Sequence, residues 1–124
     1  MTKDAVPAVG SFSGRHVLAE MEGIAASLLD DEVRLREILG TSLKRAGATV
    51  LELTSRRFVP HGVTVLALLS ESHASVHTYP EIGSVFVDVF TCGHRADPER
   101  AIALMAEEMG TDRVLTRSVR RGHD

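Results

Sequence analysis

The chemistry-bearing residues of this chain concentrate in Ser70-Glu71-Ser72-His73-Ala74-Ser75-Val76-His77-Thr78-Tyr79-Pro80-Glu81 and in Phe90-Thr91-Cys92-Gly93, with Cys92 twenty residues past Ser72. A hydroxyl, imidazoles, a thiol and carboxylates are the groups that nucleophilic and general acid–base chemistry needs. Each also has a plain reading when taken singly. Ser72 in a polar turn between strands is most often a turn residue, and Cys92 beside a strand end is most often a small buried hydrophobe. Tyr79 and Phe58 read as packing residues, and Glu20 as an exposed strand position. His73 and His77, four apart, could face one side of a strand as metal ligands, but no third ligand stands at a clear spacing, so no metal is expected. Ser72, His77 and Asp88 have the residue types of a hydrolase triad without the nucleophile-elbow pattern that would support one. Ser72 and His77 are five apart. That odd separation puts them on opposite faces of a regular strand, so either a turn or bulge intervenes or His77 serves another subunit.

Taken in order, the Ser-Glu-Ser-His opening at 70–73, the His-Thr-Tyr-Pro-Glu continuation at 77–81 and Phe90-Thr91-Cys92-Gly93 resemble the maturation and catalytic motifs of prokaryotic S-adenosylmethionine decarboxylases. The match extends more weakly to Gly14-Arg15-His16 with Ala19-Glu20, and to Arg57-Phe58 with Pro60 and Gly62, covering most of Gly14 to Val119. The resemblance implies a self-processing, pyruvoyl-dependent enzyme that releases carbon dioxide from S-adenosylmethionine for polyamine (spermidine) synthesis. By resemblance, the Ser72 hydroxyl attacks the carbonyl of Glu71, and the ester so formed eliminates and hydrolyses. The N-terminal piece then ends at Glu71, and Ser72 becomes the pyruvoyl group heading the piece that runs to Asp124. His77 matches the base of maturation and Cys92 the proton donor of turnover. Thr64 falls where many relatives carry a serine that assists cleavage. Phe58, Tyr79 and Glu81 match substrate-pocket residues, and Glu20 is a further candidate for that pocket. The residue types suit these roles. A serine oxygen can both attack and depart, provided a base takes the Cα proton. A pyruvoyl ketone takes up the electrons left when a carboxylate departs, and a thiol with an ordinary pKa of about 8.5 is mostly protonated near neutrality.

Two positions depart from the family pattern. Tyr79 stands where the usual motif has tryptophan, and Met21 where many relatives have an aromatic residue after Ala-Glu. Some family members decarboxylate free arginine or ornithine, and a weakened adenine platform is what such a shift would look like, so that is the alternative reading. A non-catalytic binding subunit is the other class. Intact Glu71, Ser72, His77 and Cys92 argue against it, because a pure binding module needs none of them.

The elements that must position these residues are legible from periodicity. Arg15 to Met21, Thr49 to Arg56, Val63 to Ser70, Ala74 to Thr78, Ser84 to Thr91 and Arg113 to Val119 read as strands. Asp30-Asp31 offers an N-cap to a helix ending at Gly47, and Asp97-Pro98 opens a second helix ending at Gly110. Two helices cover one face of such a sheet, which predicts an α+β two-layer sandwich with a mostly antiparallel sheet. The other face needs a partner, and the homodimer of cleaved chain pairs that the resemblance implies would supply it. Residues 14–119 are expected to form a single domain, after a mobile leader at 1–13 and before a charged tail at 120–124.

Composition narrows the remaining classes. The net charge of −3 comes from 17 acidic and 14 basic residues spread along the 124-residue chain, so no basic field exists to hold nucleic acid. The longest apolar run, Val63 to Leu69, is far short of the ~20 residues that span a bilayer. With a single cysteine there is no internal disulfide, which fits a reducing cytoplasm.

Overall fold

Alternation along the strands divides the sheet into a buried side and an uncovered side, and the helices follow from that division. The computed structural model describes residues 12–70 and 72–123. Glu71, at the expected cleavage junction, lies outside the described residues, as do the expected leader up to residue 11 and the last residue of the expected tail. The chain runs β1 (Phe12–Glu22), α1 (Ala26–Leu29), α2 (Glu32–Arg45), β2 (Val50–Arg57), β3 (Val63–Leu69), β4 (Ser72–Tyr79), a single 3-10 turn (Pro80–Ile82), β5 (Ser84–Cys92), α3 (Pro98–Met109) and β6 (Arg113–His123). The six strands form one sheet in the order β2-β3-β4-β5-β1-β6, and every neighbouring pair is antiparallel.

The two long helices pack on one face, as expected. Leu35, Ile38, Leu39 and Leu43 of α2 and Ile102, Met105 and Met109 of α3 are buried against Val17 and Met21 of β1, Val63 and Val65 of β3, Val76 of β4, and Val85, Val87 and Val89 of β5. Both helices begin at an aspartate whose carboxylate takes a backbone N–H three residues on, Asp31 from Arg34 at 3.0 Å and Asp97 from Arg100 at 3.1 Å. On the opposite face stand His16, Leu18 and Glu20 of β1, Leu66 and Leu68 of β3, His73, His77 and Tyr79 of β4, and Phe86, Asp88 and Phe90 of β5, the residues of the opposite strand parity. Among the described residues no helix covers them.

Several boundaries differ from the sequence reading. Phe12 and Ser13 belong to β1 rather than to a leader, and Arg120 to His123 extend β6 instead of forming a tail, because the β1–β6 ladder runs from Phe12↔His123 to Glu22↔Arg113. The charged run hid the end of this last strand, which the sequence reading stopped at Val119. On an edge strand such residues stay in water and discourage pairing with another sheet. Ser72 is the first residue of β4, not a turn residue, and pairs with Leu69. The one-turn helix α1 was not expected; it buries Leu29.

Asp30, between α1 and α2, clasps the β2–β3 hairpin. It accepts the Gly62 N–H at 2.9 Å and the Arg57 guanidinium. The Gly62 hydrogen bond, followed by that from Arg57, holds its carboxyl below the ordinary carboxylate range. A group whose folded pKa is depressed stabilises above its unfolded value and loses that contribution as pH falls through the folded one. Asp30→Asn is therefore expected to lower stability at neutral pH, with the difference from the parent chain vanishing in acid below the usual carboxylate range. Urea unfolding at a series of pH values measures it.

Candidate active site

Strand β4 carries the expected site residues at two separate ends. Its register is unbroken, from Leu69↔Ser72 to Thr64↔His77 against β3 and from His73↔Phe90 to Tyr79↔Ser84 against β5. No turn or bulge lies between Ser72 and His77. Five residues of extended chain separate their Cα atoms by about 16 Å, and their parity puts them on opposite sides of the strand.

At the first end are Ser72 and Cys92. His73 pairs with Phe90, and Cys92 pairs with Gly14, so Cys92 ends β5 beside the start of β4. The Ser72 hydroxyl is turned back along the chain, 3.4 Å from the carbonyl oxygen of Ser70. Cys92 is exposed, not the buried hydrophobe of the plain reading.

At the second end are Thr64, His77, Tyr79, Phe58, Glu81 and, across the sheet, Glu20. Thr64 Oγ1 and His77 Nδ1 are 3.1 Å apart across the β3–β4 ladder. Tyr79 packs on Phe86 with ring centroids 4.9 Å apart. Phe58 sits in the β2–β3 turn, its N–H donating to the Gly62 carbonyl at 2.7 Å, and its side chain is exposed. Glu81 follows β4 and lies 3.3 Å from His61 Nε2. Glu20 and His77 line a shallow cavity of about 300 Å³ together with Leu18, Phe86, Asp88 and Arg117.

Between the two ends lies a polar cluster that the motif reading missed. Asp88 Oδ2 accepts from His16 Nε2 at 2.7 Å, and its Oδ1 accepts from the Ser75 hydroxyl. His73 Nε2 is 3.5 Å from Oδ2. Burial pushes the Asp88 carboxyl up, but the hydrogen bonds from Ser75 and His16 outweigh it and leave the group below its ordinary value. Asp88 contacts His73 rather than His77, so the hydrolase triad is not assembled. His16, His73 and Asp88 place three ligand atoms within 4.8 Å of one another. Arg121, however, reaches His16 Nδ1 at 3.4 Å, and a guanidinium can only donate. The ring proton is then on Nε2, which occupies the nitrogen a metal would need. Periodicity held a signal for the cluster, since Asp88 sits on the parity opposite to Val85, Val87 and Val89.

Gly14 shows how tightly the first end is built. A Cβ there would lie 2.6 Å from the Thr91 carbonyl oxygen, 2.9 Å from Phe90 Cε1 and 3.1 Å from Cys92 Sγ. Gly14→Ala is expected to destabilise the fold by about 1 to 3 kcal/mol, as overpacking against backbone does, with the loss read from the urea midpoint at unchanged m-value.

The family model described as S-adenosylmethionine decarboxylase matches residues 15–122. The chain is 49% identical over 108 residues to the S-adenosylmethionine decarboxylase proenzyme of Parasynechococcus marenigrum (strain WH8102), covering 87% of this chain and 84% of that one. It is 41% identical over 109 residues to the proenzyme of the same name from Carboxydothermus hydrogenoformans, covering 88% and 86%. Among solved structures, the crystal structure of the adenosylmethionine decarboxylase from Aquifex aeolicus VF5 superposes with a TM-score of 0.84 at 33% identity, over 92% of this chain and 94% of that one.

Proposed function

The chain belongs to the S-adenosylmethionine decarboxylase family, and we propose that it removes the carboxylate of S-adenosylmethionine at sites shared between two copies, with Ser72 and Cys92 from one subunit and Thr64 and His77 from the other. It is a pyruvoyl-dependent lyase, and its product, decarboxylated S-adenosylmethionine, serves polyamine synthesis. The observation that carries the shared site is the separation of Ser72 from His77 along an unbroken strand. A base about 16 Å from the proton it must take cannot act within the same chain.

The uncovered face supplies the interface. Leu18, Leu66, Leu68, Phe86, Leu115 and Val119 are all exposed there or at its edge, an apolar patch of the kind that marks association. A two-fold pairing of like faces is self-complementary, and it can lay the Ser72 end of one sheet over the His77 end of its partner.

The residue types present suit a pyruvoyl group formed at Ser72, whose hydroxyl lies 3.4 Å from the Ser70 carbonyl oxygen. In this reading Ser72 Oγ attacks the Glu71 carbonyl carbon and loses its proton, while the peptide nitrogen departs and takes one up. The partner's His77 then removes the Ser72 Cα proton as the Cβ–O bond breaks, releasing the Glu71 carboxylate, and water completes the conversion with loss of ammonia. With Nδ1–H donating to Thr64, the His77 Nε2 lone pair is left to take that proton. The pyruvoyl ketone supplies the electron sink for carboxylate loss. Cys92 then delivers a proton to the former α-carbon. Phe58 and Tyr79 hold the adenine by stacking, Glu81 accepts from the ribose hydroxyls, and Glu20 borders the same cavity. A proton-donating thiol is best preserved in a reducing compartment, which supports a cytoplasmic enzyme. Among the described residues no helix is long and apolar enough to cross a membrane.

Under denaturing conditions the purified protein is expected to separate into a 71-residue piece and a 53-residue piece blocked at its N-terminus, while Ser72→Ala stays whole. Intact mass reads this, and a parent chain that remains uncut after long incubation refutes the mechanism. The shared site is tested by co-expressing differently tagged Ser72→Ala and His77→Ala chains. The His77→Ala chain, nearly uncut alone, should be cut in mixed dimers by its partner's His77. If it stays whole there, the two ends do not serve one another.

Substrate preference is read from carbon dioxide release on three substrates side by side. S-adenosylmethionine should be turned over faster than arginine or ornithine, and Tyr79→Ala should lower kcat/KM for it by roughly tenfold or more, the usual cost of removing a stacked ring. The alternative reading pairs Glu81 with the distal cation of arginine or ornithine, and a wide margin for either would establish it.

A further inference from the structure

The polar cluster around Asp88 is used by none of the steps above, yet it touches the neighbours of both reacting residues. Arg121 on β6 donates to His16 on β1, His16 donates to Asp88 on β5, and Ser75 on β4 donates to the other Asp88 oxygen. The rings of His16 and His73 meet edge-on at 5.7 Å, and both pack on Phe90, with centroids 5.5 and 5.7 Å away. Arg121 lies over the same Phe90 ring, 4.5 Å from its centroid. His73 is the residue after Ser72, and Phe90 precedes Cys92 by two on the same face.

Stability alone is a poor reason for such a cluster. A partly buried carboxylate with histidine partners seldom outperforms apolar residues of the same volume, and Leu66 and Leu68 show that apolar residues are acceptable on this face. What directional hydrogen bonds add over apolar contact is fixed geometry. Attack of a hydroxyl on the preceding carbonyl depends on that geometry, since a misplacement of about 1 Å can cost on the order of 100-fold.

We infer that Asp88 and His16 are positioning residues for self-cleavage, holding His73 and Phe90 so that Ser72 and Cys92 keep their places at the ends of β4 and β5. The inference rests on cleavage at Ser72, and the parent chain in the same experiment tests that separately. Cell-free translation yields the fresh full-length chain, whose cleavage is followed by denaturing electrophoresis while sedimentation gives the folded fraction. Rates are compared per folded molecule. Asp88→Asn and His16→Leu should each cleave about tenfold slower or worse, within the range that misplacement produces. His16→Gln keeps an amide N–H where the Nε2–H stood and should stay within about threefold of the parent chain. That rescue separates positioning from a loss of fold, which would not distinguish glutamine from leucine. If Asp88→Asn and His16→Leu cleave at the parent rate, or if glutamine is as slow as leucine, the inference is overturned. A parent chain that does not cleave removes the self-cleavage reading, and the inference falls with it.

Discussion

Strand alternation under one-sided cover is the constraint on which everything else in this molecule depends. Two long helices supply enough apolar surface to bury one face of six strands and no more. Most residues of one parity therefore go into the core, where Val, Leu and Met fill it. Residues of the other parity are left on a face that no helix among the described residues covers. The chemistry-bearing side chains His77, Asp88 and Cys92 have this second parity, where they keep the access to water that a core position would have removed.

That face is neither a core nor an ordinary surface. Leucines and Phe86 make it sticky, while His16, His73, Ser75 and Asp88 make it specific. A carboxylate on a partly buried sheet face is tolerable only when its oxygens are occupied, and Asp88 has both occupied. The result is a surface with apolar stretches suited to association and a polar centre whose side chains are already oriented before anything is placed on it.

Much of this was legible in the residues. The helix beginning at Asp31 and the helix beginning at Asp97 announce themselves through an N-cap followed by apolar residues at helical spacing, and the strand from Val63 through its β-branched run. The odd spacing of Ser72 and His77 already posed a question, and the unbroken β4 register removes a turn or bulge from its possible answers. What could not be read were facts of pairing. The ladder between β1 and β6 turns Arg120 to His123 into strand, although nothing in a run of arginines has strand character. Likewise Asp88 reads as a lone acid inside a valine-rich strand, and only the sheet order brings His16 from 72 residues away onto its oxygen. Motif spacing finds residues that are near in sequence, whereas this cluster is assembled from four strands.

The same alternation bears on when the enzyme can mature. If Ser72 and His77 lay in one loop, a chain could cut itself as soon as that loop formed, with no folded core behind it. Placing them at opposite ends of a straight strand puts His77 out of reach of Ser72 in its own chain, so under the roles proposed for them only the intermolecular reaction is left. Cleavage then waits for a folded sheet, since a slipped register would move His77 to the helix side. With the shared site proposed above, it waits also for a partner, which brings the base from another copy. In that reading the irreversible step is tied to two conditions that the shared site also needs, a sheet in register and a covered face. The positioning role inferred for the polar cluster would add the third, because a base delivered by assembly is useful only where the proton it must take is already in place.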